Sequence, residues 1–165
     1  MIRVRFMADL SAGRSKLYSK QAHGQPVHAA TFIRKRVIVL DGDLEHKRGE
    51  LARILTHELF HFAWVRLGSH KRRSYQDLLR GELKRHARGE LGWSADLRKV
   101  RFSHHPQPTS HDSLFLDYAC ESFCDTAAWL YSGVRKHREF TLAERHRKSR
   151  AEWFRASFGN CALPI

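Results

Sequence analysis

The chain has 165 residues and a mass of 19.3 kDa, a size that fits one domain, 1–165, with a proper core. Its 42% hydrophobic and 11% aromatic content excludes a disordered chain, and its apolar runs are too short to cross a membrane. The net charge of +13 implies a basic surface that phosphates can meet.

Met1 to Phe6 alternates apolar and basic residues and reads as a strand, without the apolar core of a secretory signal. Residues 10–26, with Ser, Gly, Lys and Pro26, read as a helix turn or loop. His28 to Leu40 is rich in Val, Ile, Thr and Phe and predicts one long strand, or two joined near Arg34-Lys35-Arg36. Asp41-Gly42-Asp43 is a turn and a helix start, and a helix follows from about Leu44 to Leu67, stopped by Gly68. Residues 72–91 read as a basic amphipathic helix around Leu78, Leu79, Leu83 and Leu91. Residues 102–112, with Pro106 and Pro108, read as a loop. Residues 113–132 form a second apolar helix ending at Gly133, and 141–158 a last helix carrying Leu142, Trp153, Phe154 and Phe158. The class is α+β: a small N-terminal sheet packed on a central helix, then a mostly helical C-terminal half. Three cysteines, Cys120, Cys124 and Cys161, make an odd count with no framework spacing, which predicts reduced thiols and a cytoplasmic protein; Cys120 and Cys124 form a C-x-x-x-C without a second pair, a weak zinc signal that favours buried packing over a zinc site.

The central helix carries His57-Glu58-Leu59-Phe60-His61, an H-E-x-x-H pattern. Residues four apart share a helix face, so both imidazoles can hold one zinc ion, with Glu58 beside it to move protons. From Ile54 to Val65 no charged residue occurs apart from the motif itself, as expected of a helix central to the core. Two histidines and a carboxylate buried there need partners, and a metal is the simplest one for all three. Residues 102–133 hold Asp112, Asp117, Glu121 and Asp125 and no Lys or Arg, the local charge balance that a divalent cation requires.

A catalytic zinc takes three protein ligands and keeps one position open. Ten residues after His57, where one large peptidase class places a third histidine, stands Leu67, which excludes that class. The candidates for the third ligand are Glu121, Asp117, Asp112, His104, His105 and His111. The stretch Glu121-Ser122-Phe123-Cys124-Asp125 resembles the second motif of the gluzincins, the thermolysin-like clan of zinc metallopeptidases, in which H-E-x-x-H is followed by a helix bearing E-x-x-x-D. The resemblance covers the two motif helices and the strand before them. The 60 positions from His61 to Glu121 are a wider gap than in the small cytosolic members, which makes the basic helix at 72–91 an insertion.

The resemblance implies that Glu121 is the third zinc ligand, that Asp125 orients His57, and that the cleft lies between the early sheet with its motif helix and the 113–132 helix. It also implies that Glu58 is the general base of a metalloprotease acting on a protein or peptide, and that the strand within His28–Leu40 forms the cleft's rim. His104, His105, His111, Tyr75, Tyr118 and Tyr131 are candidates for the group that stabilises the oxyanion. The alternative is a basic nucleic-acid-associated protein with a structural or vestigial zinc site. It would use Lys71-Arg72-Arg73, Lys84-Arg85, Arg135-Lys136 with Arg138, and Arg145 to Arg150. No membrane partner is expected.

Overall fold

A computed structural model describes residues 1–13, 16–19, 24–104 and 113–159. Two small sheets come first and five helices follow, an α+β arrangement. The first sheet has the order β1 (Arg3–Met7), β6 (Val37–Asp41), β5 (Ala29–Phe32). The two central-sequence strands are antiparallel, with Ala30 opposite Val39 and a turn at 33–36, while β1 runs parallel to β6 with Arg5 opposite Val39. The region 10–26, expected as a helix turn or loop, instead forms a second small sheet from β2 (Ser11–Gly13), β3 (Lys16–Tyr18) and β4 (Gln25–Pro26), with β2 in the middle. Strands of two or three residues are too short to show the alternation by which a sequence announces a strand.

Strand β6 is central, and its Val37-Ile38-Val39-Leu40 is buried on both faces. Ile38 and Leu40 meet the helices, whereas Val37 and Val39 pack with Leu10, Leu17 and Val27 of the second sheet region. Asp41 then ends the strand. Its carboxylate accepts the Asp43 N–H at 2.9 Å and the Leu10 N–H at 2.7 Å, starting a 3-10 turn (Gly42–His46) and tying the two sheets together.

Helix α1 (Arg48–Arg66) carries the motif. One stripe, Ile54 and Phe62 with Leu51, Leu55 and Leu59, packs on Ile38 and Leu40. A second stripe, Phe60, Ala63, Trp64 and Leu67, enters the larger helical core with Tyr75, Leu79, Phe115, Phe123 and Phe154. Two buried faces explain why the helix has so few charges, and the polar remainder (Glu50, Arg53, His57, Glu58, His61) is a third stripe along its length. Helix α2 is Ser69–Lys84, shorter than the expected 72–91 segment. Helix α3 (Trp93–Ser103) covers a stretch with no expected element up to 101 and runs two residues into the expected 102–112 loop. Helices α4 (Ser113–Tyr131) and α5 (Glu144–Phe158) fall where the apolar periodicity puts them.

A charged cluster lies inside the helical half. Arg150 of α5, fully buried, donates to Glu82 of α2 (Nη2 to Oε2, 2.6 Å) and to Glu90 (Nη1 to Oε2, 2.8 Å). Glu90 also receives Lys99 Nζ of α3 and the Tyr118 hydroxyl of α4. Burial raises the carboxyl pKa of Glu90, but Arg150 and Lys99 outweigh it and hold the pKa below the usual carboxylate value. Replacing Arg150 by Met would take the guanidinium from buried Glu82 and leave Glu90 with Lys99 and Tyr118 alone, and is expected to cost about 3–5 kcal/mol. Urea denaturation of the variant, read against the parent at equal slope, measures that loss.

Candidate metal centre

The polar stripe of α1 faces a cleft of about 560 Å³. Its walls are β5 with the segment before it (Pro26–Thr31), α1, the start of α3 and the middle of α4. His57, Glu58, His61, Glu121 and Asp125 all line it. Helix α4 crosses α1 so that residues 59 or more positions away in sequence reach the two histidines.

Each imidazole of the motif has a partner on α4. His57 Nδ1 lies 2.7 Å from Asp125 Oδ1, and His57 Nε2 lies 3.3 Å from Glu121 Oε2. Asp125 is nearly inaccessible to solvent, and its second oxygen accepts the Ala95 N–H at 2.9 Å, in the first turn of α3. That approach exists because residue 92 is glycine. A Cβ there would sit 2.2 Å from the Asp125 carboxylate carbon, so any side chain at 92 would have to push that carboxylate aside. His61 Nδ1 lies 3.5 Å from both Cys120 Sγ and Cys124 Sγ. Glu58 projects on the side of the sheet, where the Thr31 hydroxyl of β5 donates to its Oε2 at 2.6 Å.

These donors suit a metal. Two atoms each about 2.0–2.2 Å from a tetrahedral zinc are about 3.3–3.6 Å apart, and His57 Nε2 and Glu121 Oε2 stand at that separation. Donor atoms of His57, His61 and Cys124 also lie within 4.8 Å of one another, so this buried group can hold a metal ion. The third member of that group is Cys124, while Glu121 meets His57 Nε2 alone, at 3.3 Å. Glu121 lines the cleft, whereas neither thiol does.

The charges reinforce one another. Burial opposes protonation of His57, but the Asp125 carboxylate, helped by Glu121 and Glu58, holds the imidazole well above its ordinary pKa of 6.5. Burial likewise pushes the Glu121 carboxyl up, yet His57 and His61, with Arg98 farther off, bring it down to about 2. Cys120 is brought down to about 6, first by the hydrogen bond from Cys124 and against its own burial, with His61 adding to the drop. Burial pushes Cys124 well up. Two carboxylates therefore face the two nitrogens of one imidazole, an arrangement that calls for a cation at Nε2, either a proton or a metal.

Several expectations change. Asp117 is exposed on the far side of α4 and does not line the cleft. His104, at the end of α3, is exposed and bonds through Nδ1 to the Val100 carbonyl, away from the cleft. His105, His111 and Asp112 lie outside the described residues. Tyr75 and Tyr118 are fully buried, with hydroxyls committed to Ser122 and Thr126 and to Glu90, so neither faces a substrate. Tyr131 stacks on Phe60 and does not line the cleft. The cationic and polar donors that do line it are His28, Arg53, Ser94, Arg98 and Arg138. The basic clusters also lose members. Arg150 is internal, Arg147 donates to the Leu142 and Phe140 carbonyls, and Lys71 donates to the Ser157 carbonyl.

Sequence reasoning missed Thr31, Gly92, the first turn of α3 and Glu139. Glu139 Oε2 accepts the Trp93 N–H at 2.9 Å and Arg53 Nη1 at 3.0 Å, pinning the far end of the cleft, where the Trp93 side chain stands 64% exposed on the rim. For Gly92 and the start of α3 the one signal is Leu-Gly-Trp-Ser-Ala-Asp at 91–96, a glycine ahead of a helix start. Comparison with protein-family models, curated proteins and solved structures found no match.

Two outcomes follow from the charges. In metal-free protein, the stability contributed by the His57–Asp125–Glu121 cluster should be greatest between about pH 4.5 and 6.5. It should fall on the acid side as Glu121 protonates toward pH 2, and on the alkaline side as His57 loses its proton above 6.5. Binding of a divalent metal must displace the His57 proton, so affinity should drop about tenfold per pH unit below the His57 pKa. Calorimetric titrations in buffers of different ionisation heat would count that proton. Separately, Gly92→Ala should displace Asp125 and weaken metal binding, measured by competition with a chromophoric chelator.

Proposed function

We propose that this chain is a zinc-dependent metallopeptidase of the gluzincin type, hydrolysing peptide bonds of a protein or peptide. The observation that carries the reading is the meeting of four groups in one cleft. His57, His61 and Glu121, which we read as the metal ligands, line it together, and Glu58 stands one residue from His57 on the wall facing β5.

When bound, zinc would lower the pKa of a coordinated water to about 7 and polarise the scissile carbonyl. Glu58 takes a proton from the attacking water and delivers it to the leaving amine. The Thr31 hydroxyl donates to one carboxylate oxygen, which orients the side chain and leaves the other oxygen for the proton. Asp125 fixes His57 with its proton on Nδ1, so that Nε2 offers a lone pair to the metal. Strand β5 is paired with β6 on one side only among the described residues, and Ala29, Ala30 and Thr31 line the cleft. An extended substrate segment laid there would add a strand by backbone hydrogen bonds, which suits a polypeptide better than a compact metabolite. Oxyanion stabilisation falls to a donor of the cleft wall. His28, Arg53, Ser94, Arg98 and Arg138 line it and are the candidates.

Glu58→Gln should retain zinc and lose peptide hydrolysis, with kcat falling by about 10²–10⁴. Zinc content by mass spectrometry and cleavage of a peptide library measure the two halves, and a fully active variant would remove the mechanism. Thr31→Val should lower kcat while leaving zinc affinity unchanged, because Thr31 touches the base and no ligand.

A further inference from the structure

We infer that Cys120 and Cys124 are positioning residues for His61, doing for the second imidazole what Asp125 does for the first. This rests on the metal-centre reading above. Both sulfurs stand 3.5 Å from the same nitrogen, His61 Nδ1, a normal hydrogen-bond length for sulfur. A protonated Nδ1 has one hydrogen to donate, and with both sulfurs in reach it donates to their lone pairs. Nε2 is then the nitrogen left for the cleft, which His61 lines and the thiols do not.

The helix makes the pairing systematic. Cys120 and Cys124 are one turn apart on α4, and so are Glu121 and Asp125, each one residue further on. The Cys row backs His61 and the carboxylate row serves His57. Thus α4 supports both imidazoles from behind and offers Glu121 in front. Sulfur is a weaker acceptor than a carboxylate, and two sulfurs on one nitrogen make up in number what each lacks in strength. The competing role for the same atoms is direct ligation by Cys124, whose sulfur is near enough to both histidines for that.

The test uses the full chain as wild type, as C120A/C124A and as C120S/C124S. Zinc affinity is measured by chelator competition, and cobalt(II) is bound in place of zinc to read the ligand atoms. The proposal expects the alanine pair to bind zinc about 10–100-fold more weakly. The serine pair, which keeps acceptors for Nδ1–H, should recover most of that loss. Wild-type cobalt protein should show tetrahedral d–d bands without a sulfur-to-cobalt charge-transfer band. That last reading needs no variant, so it decides between positioning and ligation even if the alanine pair fails to fold. A charge-transfer band, or an alanine pair as tight as wild type, overturns the inference. A wild type that binds neither metal overturns the metal-centre reading itself, and is distinguishable from both.

Discussion

The Asp125 carboxylate is the point on which the candidate centre turns. One oxygen holds His57 and the other holds the Ala95 amide, so a single side chain of α4 joins α1 to the start of α3. It is buried, and a charge in that place is tolerable only because both oxygens have partners. Lengthening either bond would loosen the imidazole and one wall of the cleft together. Helix α3 is thereby part of the centre although it contributes no candidate ligand. Its N-terminal amides receive two acids, Asp125 at Ala95 and Glu139 at Trp93, the sign that a helix start favours.

Behind the centre, the Arg150 cluster sets where the helices stand. Arg150 from α5 reaches Glu82 on α2 and Glu90 before α3, while Lys99 of α3 and Tyr118 of α4 converge on Glu90. Tyr75 of α2 meets Thr126 of α4, the residue next to Asp125. A buried ionic cluster of this kind adds little net stability over apolar packing, but it admits few alternative arrangements. Its geometric demands suit a site whose donors must converge within tenths of an ångström.

Local spacing made half of the centre legible. His57, Glu58 and His61 are recognisable because four residues make one helical turn, and Glu121 with Asp125 stand out from the other candidates only through the resemblance of E-x-x-x-D to a family motif, on a helix free of basic residues. What stayed hidden is tertiary. Nothing in the string at 92–101 says that its first turn will meet an acid from residue 125. The hydroxyls of Tyr75 and Tyr118 look available until the fold gives them to buried partners. Arg150 reads as one more cation of a basic run, yet His146, Arg150, Phe154 and Phe158 recur at intervals of four, the inner face of α5. The neighbouring Arg145 and Lys148 concealed that period. The short strands of the second sheet had no period to display.

Trp93 has a consequence of another kind. Its indole stands at the cleft mouth in water, while the Trp64 ring is buried against Tyr75 and Phe123, and Trp153 sits among the core aromatics of α5. An indole in water and an indole in a packed core emit at different wavelengths and are quenched to different extents. Any molecule that fills the cleft changes the surroundings of the first and leaves the second undisturbed. The chain thus contains an intrinsic optical reporter of cleft occupancy, one that needs no label and no knowledge of what the occupant is.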